Sequence, residues 1–111
     1  MTEKKIGKIV SIKLGYGGYQ DAQFGLSVDL GGKSWGVYDF KGCWSIDTKC
    51  DRNCKWTESD RDKNFSDTMR FINDLLSKAK KQSINELKNV PIEVTFENDR
   101  LKSWRILEEV L

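Results

Sequence analysis

The sequence predicts an α+β fold, mostly β, in which one amphipathic helix separates a three-stranded meander from a C-terminal hairpin. Two observations lead there. All nine glycines fall between Gly7 and Gly42. Eight of the twelve aromatics, Tyr16, Tyr19, Phe24, Trp35, Tyr38, Phe40, Trp44 and Trp56, lie in the same half. Glycine permits tight turns and close backbone approach, and aromatics favour a pleated, half-buried surface.

The first strand is expected at Ile6–Leu14, with Val10, Ile12 and Leu14 on one face. Gly15 through Asp21 reads as a loop. The second strand, Ala22–Leu30, alternates Ala22, Phe24, Leu26, Val28 and Leu30 with Gln23, Gly25, Ser27 and Asp29. That period of two buries one face and leaves one open. Gly31-Gly32 reads as a two-residue hairpin turn. The third strand, Lys33–Phe40, completes a meander over residues 6–40.

Gly42–Lys55 shows no period and reads as a connection. A helix is expected over 57–82. Thr57 is its N-cap, and Glu58, Asp60 and Asp62 load its first turn with the sign the helix dipole favours. Phe65, Met69, Ile72, Leu76 and Ala79 follow at helical spacing, with Leu75 beside them. Lys78, Lys80 and Lys81 close it. Ser83 and Glu86 form a capping-box pattern for a short second turn. Pro91 opens a fourth strand, Asn98-Asp99 turns the chain, and Leu101–Leu107 is the fifth. The hairpin spans 91–107, and residues 1–111 form a single domain.

The order β-β-β-α-β-β is that of an OB-like five-stranded antiparallel barrel or a strongly curved sheet, with the helix at its mouth. The same order also permits an open α+β sandwich.

Net charge is +2 at 32% charged residues. That balance suits a folded, water-soluble domain and does not by itself point to nucleic acid. No apolar run approaches the roughly 20 residues of a membrane span. Met-Thr-Glu-Lys-Lys leads straight into a strand rather than a signal peptide. A cytoplasmic location is expected.

The chain has no histidine. The commonest general base and the Ser-His and Cys-His nucleophile pairs are therefore missing, and the carboxylates are scattered. A non-enzymatic protein without cofactor is expected. Cys43, Cys50 and Cys54 read as three reduced thiols. As a zinc site they lack a fourth ligand unless Asp47 or Asp51 supplies one.

Binding candidates remain. The Gly15–Gln20 loop resembles a phosphate-binding glycine loop only loosely, because a strand follows where a helix is needed. Tyr16, Tyr19 and Gln20 in that loop are candidate ligand contacts, since an OB-type fold binds beside its first loop. Lys33 to Lys41 interleaves aromatics and cations as single-strand binders do. Trp35 and Val37 are read as core, and Tyr38 and Lys41 as ligand contacts. On the last strand Trp104 is read as core with Lys102 on its face, whereas Arg105 points away as a freer cation and joins the candidates. Trp56 is read as an anchor against the helix start.

The chain also resembles a family of small, uncharacterised bacteriophage and prophage proteins. The residues that carry the likeness are Ile6-Gly7-Lys8-Ile9, Gly17 through Leu26, Trp35-Gly36-Val37 with Asp39-Phe40, Lys55-Trp56-Thr57-Glu58 with Asp60-Arg61, Val94 through Glu97 and Leu101 through Leu107. The resemblance implies a phage origin and a place in the host cytoplasm, and brings no activity with it. Two functions are then expected. One is binding of a nucleotide or single-stranded nucleic acid through an aromatic and basic face. The alternative is counter-defence, by sequestering a host signalling nucleotide or by blocking a host defence protein. The open edges of an unclosed barrel allow a homo-oligomer.

Overall fold

The computed structural model describes residues 1–49 and 54–111. Five strands form one antiparallel sheet: β1 (Thr2–Gly17), β2 (Gln23–Gly32), β3 (Trp35–Trp44), β4 (Pro91–Glu97) and β5 (Arg100–Ile106), in the order β3-β2-β1-β4-β5. Among the described residues a single α-helix, α1 (Glu58–Ala79), lies between β3 and β4. Single 3₁₀ turns occupy Tyr19–Asp21, Ile84–Leu87 and Glu108–Val110.

The organising element is β1, at 16 residues. Its first part, from Thr2 to Lys8, pairs with β4, and its second, from Lys8 to Gly17, pairs with β2. Where the two meet, the register with β2 slips between Ile9 and Ser11. Val10 is the extra residue of this bulge, which bends the strand. The bulge corrects the expected face. Ile9 enters the core with no exposure, and Val10 is left 43% exposed. The sheet curls strongly but does not close. No ladder joins β3 to β5. The Trp104 indole N–H on β5 instead donates to Asp39 on β3 at 2.8 Å, and the Phe71 ring of α1 meets Trp104 edge-on at 5.8 Å. The body measures 47 × 35 × 19 Å along its principal axes.

The core lies between one face of the sheet and α1. Ile9, Leu26, Val28, Leu30, Ile92, Val94 and Ile106 line it from the strands, Ile72, Leu75 and Ala79 from the helix, and Leu87 and Val90 from the following turn. Trp35 and Val37 pack against it, as does Trp104. Trp35 meets Phe96 edge-on at 5.7 Å and takes the room above Gly7, where a Cβ would sit 2.7 Å from its ring.

Several boundaries differ from expectation. The β2–β3 turn is Lys33-Ser34, not Gly31-Gly32. Both glycines belong to β2, and Ser34 alone in the turn takes a positive φ, of 68°. Helix α1 is capped as expected, with Thr57 and Asp60 completing a reciprocal box at 3.1 and 2.9 Å. It stops at Ala79, however, because Lys80 turns left-handed at φ 60°. Beyond Ala79 the chain has no apolar residue to bury until the next cap, Ser83 with Glu86, takes over. The buried stripe is Thr68, Ile72, Leu75 and Ala79, and Met69 is 58% exposed. Thr68 tolerates the core because its hydroxyl donates to the Asn64 carbonyl at 2.8 Å. Lys102 sits at a second register shift and pairs with Glu97 at 3.2 Å.

Trp56 stacks on Trp44, with centroids 6.5 Å apart and planes 23° apart. The buried Arg61 guanidinium lies 4.6 Å above the Trp56 ring and donates to the Thr48 carbonyl. This cluster holds the start of α1 against the end of β3. Cys43 is a buried free thiol. Cys54 is disulfide-bonded, which corrects the reading of three reduced thiols. Cys50 and Asp51 lie outside the described residues.

Candidate functional site

Helix α1 and the turn after it cover one face of the sheet and leave the other face open. On the open side of the meander the ladder sets residues in rows across β1, β2 and β3. Lys8, Gly31 and Gly36 form one row, Ser11, Asp29 and Tyr38 the next, and Lys13, Ser27 and Phe40 the third. Gly15, Gly25 and Gly42 make a fourth. Gly31 and Gly36 leave a trough beside the Tyr38 ring.

Two depressions border Tyr38. The larger, of about 800 Å³, lies over the Gly31–Gly36 row, with Lys8, Lys33 and Trp35 at its walls. The smaller, of about 410 Å³, is lined by Ser11, Lys13, Gly17, Asp21 and Ser27. Asp29 and Tyr38 belong to both, so the two form one track. The curl of the β1–β2 hairpin makes this end concave. It brings Gly17 so near that a Cβ there would lie 2.8 Å from the Ser27 hydroxyl and 3.6 Å from that of Tyr38.

The Tyr38 hydroxyl donates to Ser27 at 3.2 Å, which steadies a ring that is still half exposed. The Ser11 hydroxyl donates to one Asp29 oxygen at 2.6 Å. Among the described residues Asp29 has no cationic partner within salt-bridge distance, nor have Lys8, Lys13 and Lys33 a carboxylate.

The six residues singled out from the sequence do not converge. Tyr38 stands at the centre of the track. The 15–21 loop reaches it through Gly17, Gly18 and Asp21, and not through its tyrosines or Gln20. Tyr16 points to the helix side, edge-on to Phe24 at 5.4 Å. Tyr19 meets Trp44 edge-on at 6.3 Å. Gln20 is exposed with φ 51° and lines neither depression. Lys41 is also on the helix side, its ammonium 5.3 Å above the Phe71 ring. Arg105 is not a free cation. It pairs with Glu93 at 3.0 Å and Glu109 at 2.9 Å.

The Arg105 guanidinium hydrogen-bonds the Glu109 carboxyl and pulls its pKa from 4.5 down to about 2. The folded value lies below the unfolded one. The pair therefore contributes fully above pH 4.5, and its contribution fades as pH falls toward 2. NMR titration should show the Glu109 carboxyl ionised at pH 3.5 in the wild type. Arg105→Gln should return its midpoint close to 4.5.

Sequence reasoning missed Lys8, Ser11, Lys13 and Asp29. Their signal was the polar half of the strand alternation, the face that a period of two leaves open. On the helix side a second, apolar groove of about 330 Å³ lies between Leu14, Tyr16, Phe24, Ile46, Phe65 and Met69.

No family model, curated protein or solved structure matches this chain. Among the described residues no helix is long and apolar enough to cross a membrane.

Proposed function

We propose that the open face of the meander binds single-stranded nucleic acid or a nucleotide, without transforming it. The observation that carries this reading is Tyr38. It is a half-exposed ring steadied by Ser27, and it lines both depressions, with Lys8 and Lys33 in the larger and Lys13 in the smaller. Single-strand binders combine these two parts, an aromatic platform for the base and cations along the backbone path. Net charge is only +2, so the affinity rests on where the lysines stand rather than on the total. In keeping with the resemblance to phage proteins, the chain would act in the host cytoplasm.

The test is tryptophan fluorescence during titration with a short oligonucleotide of mixed sequence, with Trp35 in the wall of the larger depression as reporter. Three lysine–phosphate contacts imply a slope of log affinity against log salt of about −2 for a single strand. Affinity should then fall roughly twentyfold between about 50 and about 200 mM salt. Tyr38→Ala should cost about 1–3 kcal/mol of binding. The concavity of the smaller depression favours a second reading, capture of one host signalling nucleotide. That reading predicts saturation by a mononucleotide and little dependence on salt.

A further inference from the structure

The track holds two groups that a nucleic-acid backbone would avoid, Asp21 in the smaller depression alone and Asp29 in both. Asp29 stands opposite Tyr38 in the same cross-strand row and lines both depressions. A carboxylate there repels phosphate. It gains only where a ligand presents hydrogen-bond donors. A base stacked on Tyr38 carries its edge toward a neighbour in the same row, and that neighbour is Asp29.

The Asp29 carboxylate is also held in place. Ser11 donates to its Oδ2 at 2.6 Å, which fixes the group and leaves Oδ1 without a hydrogen-bond partner among the described residues. We infer that Asp29, positioned by Ser11, selects bases that carry an exocyclic amino group over thymine and uracil. This rests on the reading of the open face as a single-strand site.

The chemistry is that of base-edge readout, in which a carboxylate accepts from an amino group such as cytosine N4. The amino hydrogens of cytosine, adenine and guanine project at the rim of the base, where a carboxylate reaches them. Thymine and uracil offer a single ring N–H, flanked on both sides by carbonyl oxygens that repel a carboxylate. A hydrogen bond to a charged group also discriminates more strongly than a neutral one.

The experiment compares oligocytidylate and oligothymidylate of about eight nucleotides, within the span such folds cover, on the full chain. The wild type should bind the cytidine strand about tenfold more tightly, the order expected of one charge-assisted hydrogen bond. Asp29→Asn keeps an acceptor for Ser11 and removes the charge. It should weaken cytidine binding and strengthen thymidine binding, so that the ratio approaches one. A purely structural role for Asp29 would weaken both strands alike and leave the ratio intact, which overturns the inference. Equal binding of both strands by the wild type also overturns it, while leaving the single-strand site standing. Binding of neither strand overturns both. If Asp29→Asn fails to fold, Ser11→Ala, which removes the hydrogen bond that positions the carboxylate, decides instead: the ratio should fall, and a ratio that stays near that of the wild type overturns the inference.

Discussion

Ile92→Ala should lower the stability of this protein by about 2–5 kcal/mol, the range for deleting a large buried aliphatic side chain. Ile92 is fully buried at the point where β4 bridges the two neighbouring strands, paired with Gly7 on β1 and Ile106 on β5. The site resists collapse. Gly7 has no side chain to move into a void, and Trp35, which fills the space above Gly7, is held against Phe96. The cost should therefore fall in the upper part of the range. Urea unfolding followed by tryptophan fluorescence measures it as a lower midpoint at unchanged slope. A loss under about 1 kcal/mol would mean that the curled sheet repacks freely, contrary to the close packing of protein cores.

Gly25→Ala should be the second large effect, at about 1–3 kcal/mol. Gly25 and Gly42 face one another where β2 crosses β3, and the backbones approach closely. A Cβ on Gly25 would collide with the Lys41 carbonyl and sit 2.7 Å from the Gly42 Cα. The obstacle is backbone, so no rotamer change relieves it. Gly15, in the same row on β1, is the control. A Cβ there meets nothing within 4 Å, so Gly15→Ala should stay within about 0.5 kcal/mol of wild type. Equal costs at the two positions would contradict the close approach.

The order of elements was legible because each rests on a local signal. Alternation placed β2, the Thr57 cap opened α1 in register, and Pro91 and Asn98-Asp99 bounded the C-terminal hairpin. Asn98 and Asp99 both take positive φ, at 52° and 64°, as a tight hairpin turn asks. What failed was register. Gly31-Gly32 looks like the stronger turn, yet the chain turns at Lys33-Ser34. That shift moves every β2–β3 partner by four residues. It sets Gly25 against Gly42 and Gly31 against Gly36, and the second pair lines the larger depression beside Tyr38. The bulge at Val10 was equally hidden, since only the switch of partner from β4 to β2 along β1 calls for it.

The candidate site was half legible for the same reason. Tyr38 stood out by its place among cations and rings. Lys8, Lys13 and Asp29 come to it only through the cross-strand rows, which a wrong register cannot show. Arg105 and Lys41 looked free because their partners are distant in chain or in element. Glu93 lies on another strand, and Phe71 lies on the helix.

Binding at the open face of the meander is open to direct test. Mapping backbone amide shifts by NMR while adding a short single-stranded oligonucleotide of mixed sequence tests it most directly. Shifts should concentrate at Lys8, Ser11, Gly17, Asp29, Gly31, Gly36 and Tyr38, with Phe65 and Met69 on the helix side unmoved. Shifts confined to the apolar groove of Leu14, Phe24, Phe65 and Met69, or none at all at low salt, would contradict it.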